Sequence, residues 1–219
     1  MGEMIQLTTE DGHLLAAYQA TPKETPKGGI VIVQEIFGIT DHIRRVTDQY
    51  AKHGYLAIAP SLFDRVRPDI VLDYSNIDEG RSIMMGLDQN QVVTDIKASV
   101  GAAQKAGKVA VIGYCWGGAI ADLAACRLEI DAAVAYYGRM IVDWLDEQPR
   151  CPTIYHFGAK DPLIPQDVIE KISHARADNP SYVYADAGHG FNCDEREDFE
   201  PVSAKLALDR TLEFLGRVL

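Results

Sequence analysis

The segment VAVIGYCWGG, from Val109 to Gly118, holds the clearest candidate for chemistry. A short apolar run ends in Gly-x-Cys-x-Gly around Cys115, and a helix-forming segment follows at once. This is the strand–turn–helix pattern of a nucleophile elbow, with Cys in place of Ser. Gly113 and Gly117 lack a Cβ, so a strand and a helix can close around the apex. Backbone N–H groups and the helix dipole would favour a thiolate there. The alternative is a buried cysteine beside a tight glycine turn.

A thiolate nucleophile needs a base, and the base needs an orienting group. After such an elbow these partners follow in the order acid, then histidine. Asp161 comes after a strand predicted over residues 153–157, and His189 comes after one predicted over 181–184. Asp161 precedes Pro162 and could be an ordinary turn residue. Glycines on both sides of His189 let its loop place the imidazole freely. The order of the three residues predicts a Cys–His–Asp triad.

The other five histidines are interpreted as structural. His156 lies within a predicted strand and is expected to be a packed, hydrogen-bonded core residue. The remaining four are expected on surface elements: His13, His42, His53 and His174.

Apolar runs and helical periods alternate along the chain, which predicts an α/β fold with a mainly parallel sheet covered by helices on both faces. Besides the elbow strand and its helix to about residue 128, strands are predicted at 5–9, 13–20, 30–34, 55–59, 132–137, 153–157 and 181–184, and helices at 41–53, 81–87, 91–106, 167–177 and 203–218. A polar loop is expected over 61–78. No linker or repeat interrupts the pattern, so we expect a single domain over residues 1–219.

Composition narrows the classes of partner. The chain has 21 Lys and Arg against 32 Asp and Glu, a formal charge of −11, which argues against nucleic-acid and anionic-membrane partners. We expect no signal peptide and no membrane span, and hence a cytoplasmic protein. The four cysteines form no C-x-x-C pair, so no zinc or thioredoxin-type site is expected and the thiols should be reduced. Nucleotide-binding glycine motifs are absent from the sequence, and no metal or organic cofactor is expected.

Several separated motifs resemble the dienelactone hydrolase family, α/β-hydrolases with a cysteine nucleophile. The motifs that carry the resemblance are QEIFG from Gln34, GYCWGG from Gly113, YYG from Tyr136, GAKD from Gly158 and AGHGF from Ala187. The resemblance covers nearly the whole chain. It implies that Cys115 is the nucleophile, His189 the base and Asp161 the group that orients the base.

The resemblance also gives roles to the QEIFG segment. Glu35 ends a predicted buried strand, where a carboxylate is costly without a partner. In the family the matching glutamate takes the thiol proton when substrate binds, whereas the alternative here is a structural ion pair. The backbone N–H groups of Ile36 and Trp116 are the expected oxyanion-hole donors. Phe37 and Tyr136 match substrate-pocket positions, although either could be core packing.

The sequence departs from the pattern where the family binds a substrate carboxylate. Members that cleave dienelactone use two arginines, one of them four residues after the histidine, and this chain has Cys193 there. Arg81 is the nearest candidate for the other arginine, and Arg196 could supply charge from a different side. Both could equally be solvated surface residues. We therefore expect dienelactone itself to be a poor substrate.

The sequence thus predicts a hydrolase that cleaves a small lactone or activated ester through a cysteine acyl-enzyme. A thioesterase or a general carboxylesterase could use the same residues. A redox-sensing or ligand-binding thiol protein is an alternative of another class, which an intact Asp161 and His189 disfavour. The expected partner is a small-molecule substrate, and the protein is expected to be a monomer or a dimer.

Overall fold

The computed structural model describes residues 2–219. Its strands are β1 (Glu3–Thr8), β2 (Leu14–Ala20), β3 (Gly29–Val33), β4 (Leu56–Pro60), β5 (Val109–Tyr114), β6 (Ala132–Tyr136), β7 (Thr153–Gly158) and β8 (Ser181–Tyr184). Its helices are α1 (Asp41–Lys52), α2 (Ile77–Gly86), α3 (Gln89–Ala103), α4 (Trp116–Arg127), α5 (Gln166–Ala175) and α6 (Pro201–Val218). Short 3-10 helices cover Leu62–Arg65, Gln104–Ala106 and Arg139–Trp144.

The strands follow the order β1-β2-β4-β3-β5-β6-β7-β8 in an eight-stranded sheet. β1 with β2 and β2 with β4 pair antiparallel, whereas β3 with β4, β6 with β7 and β7 with β8 pair in parallel. This mainly parallel sheet with its helices confirms the predicted α/β fold. The chain divides into two compact units, the first ending at Val111 and the second beginning at Ile112. They are called the first and the second unit below.

In the first unit, β3 and β4 are buried along their whole length, as their apolar sequences GIVIV and LAIAP require for parallel strands inside a sheet. β3 leads into the QEIFG turn, and α1 follows. The Thr40 hydroxyl accepts a hydrogen bond from the Ile43 N–H at 3.3 Å and caps the start of α1. His42 in that helix is buried, so its predicted surface location was wrong. It falls on the apolar face of a strongly amphipathic helix.

In the second unit, α4 is buried at every position except its last, Arg127. Its alanines and glycines leave room for close neighbours. Asp122 on this helix has no exposure, and the Arg176 guanidinium neutralises it through two hydrogen bonds of 3.0 Å. The Tyr155 hydroxyl and the Trp144 indole N–H also donate to this carboxylate, at 2.6 and 3.0 Å. These bonds compensate the carboxylate for its burial. The bond from Tyr155 also links the elbow helix α4 to β7.

The largest difference from the predicted elements lies at α2. This helix begins at Ile77, inside the predicted loop, and ends at Gly86. Only one of its residues, Gly80, is buried. Two glycines within ten residues weaken the sequence signal for a helix. The 3-10 helix at Arg139–Trp144 was also not predicted. Within residues 2–219, no helix is both long and apolar enough to span a bilayer.

Candidate active site

Cys115 sits at the apex of the turn between β5 and α4 in a conformation that few residues adopt. Its φ is 55° and its ψ is −118°. Such a positive φ is strained for a residue with a Cβ and is typical of functional positions. The turn closes tightly, since a Cβ on Gly113 would lie 1.8 Å from the Gly117 carbonyl oxygen. The Cys115 N–H donates to the Tyr136 carbonyl at 3.0 Å and so fixes the elbow on β6. The local sequence therefore forces the thiol to the tip of the turn.

His189 bridges Cys115 and Asp161. Its Nε2 lies 3.1 Å from the Cys115 Sγ, and its Nδ1 lies 2.8 Å from the Asp161 Oδ2. Asp161 and His189 follow β7 and β8, which are neighbouring parallel strands, so both side chains lie at one end of the sheet. The three residues predicted from the sequence as a triad are thus within hydrogen-bonding distance in the predicted order. A base held by an acid and facing a nucleophile is the arrangement that acyl transfer requires.

The Asp161 carboxylate has no freedom to turn. Its Oδ1 accepts from the backbone N–H groups of Leu163 and Ile164, at 2.8 and 3.2 Å. Its side chain has no exposure, and that of His189 is 7% exposed. Because Oδ1 is held by the backbone, Oδ2 is left for the imidazole. The structure therefore supports both the orienting contact and the turn interpretation of Asp161.

Charge around His189 favours its protonated form. Burial opposes the imidazolium, but a thiolate charge on Cys115 and the hydrogen bond to Asp161 outweigh burial and raise the pKa of His189 to about 10. The pKa of His189 therefore lies well above that of a free imidazole, and the ring faces the Cys115 sulfur as a cation.

The other three cysteines lie in different environments. Burial, reinforced by the charge of Asp122, raises the pKa of the Cys126 thiol to about 12, and burial raises that of Cys151 to about 11. Cys193 has no exposure. This buried thiol stands at the position four residues after His189.

The loop around His189 is shaped by its glycines and by an arginine. Gly190 has a φ of 79°, and a Cβ there would lie 3.0 Å from the Arg196 guanidinium carbon. Arg196 pairs with Asp198 at 3.3 Å. The guanidinium therefore packs on the loop backbone next to His189, and replacing Gly190 would displace it.

Two tyrosines of the YYG segment differ in their environment. Tyr136, predicted as a pocket residue, is buried, and its hydroxyl lies 2.7 Å from the Thr211 Oγ1 on α6. This placement favours the alternative of core packing. Tyr137, which the sequence pattern did not indicate as a site residue, has a φ of 40°, and its ring lies edge-on to that of His189 with centroids 5.3 Å apart. A bulky residue at positive φ is strained. In the sequence, the only indication of this unusual position is that Gly138 follows Tyr137.

The remaining predicted residues fall mostly in the first unit. Glu35 and Phe37 are buried in the turn after β3, Ile36 between them is half-buried, and Arg81 is exposed on α2. In the second unit, Trp116 is the first residue of α4 and is buried. Its backbone N–H is one of those that the start of a helix leaves outside the helical hydrogen-bond pattern. Among residues 2–219, no group of three or more His, Cys, Asp or Glu could hold a metal ion.

Comparison with known proteins places the chain in a family. The model of the dienelactone hydrolase family matches residues 15–219. A carboxymethylenebutenolidase of Pseudomonas putida is 32% identical, over 98% of this chain and 96% of that protein. A Yersinia pestis protein provisionally named a carboxymethylenebutenolidase is 36% identical over 93% of this chain and 84% of its own length. A Klebsiella pneumoniae structure provisionally named a dienelactone hydrolase has a TM-score of 0.89 and 30% identity, covering 99% of this chain and 98% of that one.

Proposed function

Because the chain belongs to the dienelactone hydrolase family and is a hydrolase of that kind, we propose that it cleaves a small lactone or activated ester through a cysteinyl acyl-enzyme. The observation that carries this proposal is the continuous contact from Asp161 through His189 to the elbow cysteine, with ring-nitrogen distances of 2.8 and 3.1 Å. We also propose that residues 1–219 act as one domain, and that Cys115, His189 and Asp161 form the triad.

In the first half-reaction, the Cys115 thiolate attacks the substrate carbonyl carbon and forms a C–S bond, and the carbonyl π electrons move to the oxygen. The N–H groups of Ile36 and Trp116 stabilise that oxyanion. When it collapses, the bond to the leaving alcohol oxygen breaks and the His189 imidazolium gives that oxygen a proton. In a lactone the alcohol stays on the acyl group.

In the second half-reaction, His189 is neutral and takes a proton from water, whose oxygen attacks the thioester. The C–S bond breaks, the carboxylic acid leaves and the thiolate is restored. Asp161 fixes the tautomer and stabilises the imidazolium throughout. Glu35 is proposed to take the proton of the Cys115 thiol when substrate arrives and to return it to the sulfur after the acid has left.

The substrate is proposed to be neutral or to carry its charge elsewhere than dienelactone does. The buried Cys193 supports this, since it cannot replace a cationic arginine. Phe37 and Arg81 are kept as candidate pocket residues.

The decisive experiment measures kcat/KM for p-nitrophenyl acetate, a dienelactone and an acyl thioester, with wild type and Cys115→Ala. Quenched wild type should carry an acyl mass on the peptide with Cys115, and the alanine variant should lose both the mass and the turnover. Cys126→Ala is the matched control, because its thiol lies elsewhere on α4 and keeps its proton. A Cys115→Ala protein that retained most of its turnover would refute the proposal. The order of the three substrates separates esterase from thioesterase.

A further inference from the structure

The QEIFG turn contacts a later stretch of the first unit. This stretch, residues 70–80, is called the strap. The Leu72 N–H donates to the Phe37 carbonyl at 2.9 Å, and Gly38 and Val71 form an isolated antiparallel bridge. The Phe37 ring meets the Tyr74 ring edge-on, with centroids 4.8 Å apart. The strap therefore follows the turn along its backbone and also packs on its side chains.

The closest approach between the strap and the turn is at Gly80. A Cβ on this residue would lie 2.2 Å from the Ile36 carbonyl oxygen, far inside van der Waals contact. Gly80 is also the only buried residue of α2. A glycine within a helix costs about 1 kcal/mol relative to alanine, so the sequence gives up helix stability at this point. The contact with Ile36 accounts for that choice.

The carbonyls on either side of Ile36 are also held. The Gln34 carboxamide donates to the Glu35 carbonyl at 3.3 Å, while its oxygen accepts from the Leu62 N–H at 3.2 Å. The Phe37 carbonyl takes the strap bond described above. The carbonyls of Ile36 and Phe37 thus contact the strap, and the Glu35 carbonyl accepts from the Gln34 side chain, which is itself held by the Leu62 N–H. This leaves the peptide between Glu35 and Ile36 little freedom to rotate.

We infer that the strap positions the Ile36 N–H for the oxyanion, and that Gly80 is the positioning residue through which α2 does so. This inference rests on the proposed function, because it takes Ile36 as an oxyanion-hole donor. The N–H and the carbonyl of Ile36 share one Cα, so pushing the oxygen away turns or shifts the donor. A misplacement of about 1 Å in a catalytic group can cost roughly a hundredfold in rate.

The test compares Gly80→Ala with Gly86→Ala. Both add one methyl group to the same helix, but a Cβ on Gly86 meets nothing within 4 Å. Gly80→Ala should lower kcat for p-nitrophenyl acetate roughly tenfold to a hundredfold with a smaller change in KM. The reason is that the hydrogen bond from the Ile36 N–H to the oxyanion forms in the transition state. Gly86→Ala should match wild type. Equal kcat for Gly80→Ala and wild type would overturn the inference.

Two probes of Cys115 separate the oxyanion hole from the nucleophile. Alkylation by iodoacetamide needs the thiolate but no oxyanion donor, so its rate should stay within about twofold of wild type in Gly80→Ala. The adduct of a trifluoromethyl ketone, followed by fluorine NMR, forms a C–S bond and a tetrahedral oxygen that the donors hold, so Gly80→Ala should bind it about tenfold more weakly. If alkylation falls as much as kcat does, the substitution has damaged the nucleophile and the inference is wrong.

A second variant decides the matter if Gly80→Ala does not fold. Tyr74→Ala removes the ring from Phe37 and the hydroxyl that lies 3.1 Å from the Thr40 Oγ1. It should lower kcat and ketone binding severalfold while alkylation is unchanged. An effect on KM alone would assign Tyr74 to substrate binding and refute the strap. Failure of the proposed function would look different, since wild type would then hydrolyse no ester, while the ketone and alkylation measurements would still test the strap.

Discussion

His189 and His156 are both buried imidazoles with a polar partner at each ring nitrogen, yet their protonation is shifted in opposite directions. His189 lies between the carboxylate of Asp161 and the sulfur of Cys115, at 2.8 and 3.1 Å. His156, on β7, lies between the hydroxyls of Tyr184 and Thr211, at 2.8 and 3.1 Å. Burial and the nearby Arg210 lower the pKa of His156 to about 3, whereas that of His189 is raised to about 10.

The difference teaches that burial and hydrogen-bond count do not make a histidine a catalytic base. Burial disfavours the charged ring in both places. Only an anionic partner reverses that effect, and His156 has none at its ring nitrogens. Its ring instead packs among aromatic side chains, with its centroid 4.4 Å from that of Tyr136 and 5.5 Å from that of Tyr182. His189 therefore holds a proton at neutral pH, as its proposed role in turnover requires, while His156 stays neutral.

The largest expected effect comes from removing the negative charge beside His189. Asp161→Asn keeps an oxygen for the Leu163 and Ile164 N–H groups but gives the imidazole a neutral partner. We expect kcat/KM for p-nitrophenyl acetate to fall by about four orders of magnitude, as in other triads. Asp186→Asn is the control, because that carboxylate pairs with Lys160 on the surface. Retention of activity in Asp161→Asn would mean that the charge difference between the two histidines is irrelevant to catalysis.

The second prediction concerns the contribution of the sulfur. Cys115→Ala removes the sulfur, whose negative charge in the thiolate form favours the imidazolium, so the pKa of His189 should fall by about 1–3 units. NMR titration of the imidazole resonances measures this directly. The folded pKa of wild type lies above the unfolded value, so the stabilisation from charged His189 is complete below about pH 6.5 and is lost as the pH rises towards 10. A His189 pKa unaffected by Cys115→Ala would assign the shift to Asp161 alone.

The third prediction tests His156 by acid. Its folded pKa of about 3 lies below the unfolded value, so the unfolded chain binds the proton more readily and stability falls as the pH drops from about 6.5 to 3. His156→Gln cannot titrate but keeps a donor and an acceptor. Between pH 7 and 4.5, wild type should lose about 2–3 kcal/mol of unfolding free energy more than the variant, measured by urea denaturation. Parallel losses in both proteins would show that His156 is not a buried neutral base.

The smallest effect is expected at Thr211. Its hydroxyl lies 2.7 Å from the Tyr136 hydroxyl and 3.1 Å from the His156 Nε2. Thr211→Val leaves two buried polar groups without this partner and should cost about 1–2 kcal/mol of stability. Thr211→Ser, which keeps the hydroxyl, is the control. Turnover of the folded Thr211→Val protein should stay within about twofold of wild type, and a large loss of kcat would place the His156 cluster in the catalytic machinery.

The sequence by itself determined most of the strands and helices and the order of the triad candidates. The elbow could be predicted because its requirement is local: Gly113 and Gly117 approach across a turn of a few residues. The alternation of apolar runs and helical periods predicted the parallel α/β fold for the same reason, since each element carries its own pattern. The resemblance to a family then named residues that spacing alone could not connect.

Only the tertiary structure decided what surrounds those residues. His189 meets partners 28 and 74 positions away, and no local pattern distinguishes its anionic neighbours from the hydroxyls around His156. The burial of Cys193 and the contact of Tyr136 with α6 depend on how the second unit folds. The close approach of Gly80 on α2 to Ile36 joins residues 44 positions apart, and no local pattern shows it. The physical reason is that electrostatics and close packing depend on which residues are neighbours in space, and these neighbours are far apart in the sequence.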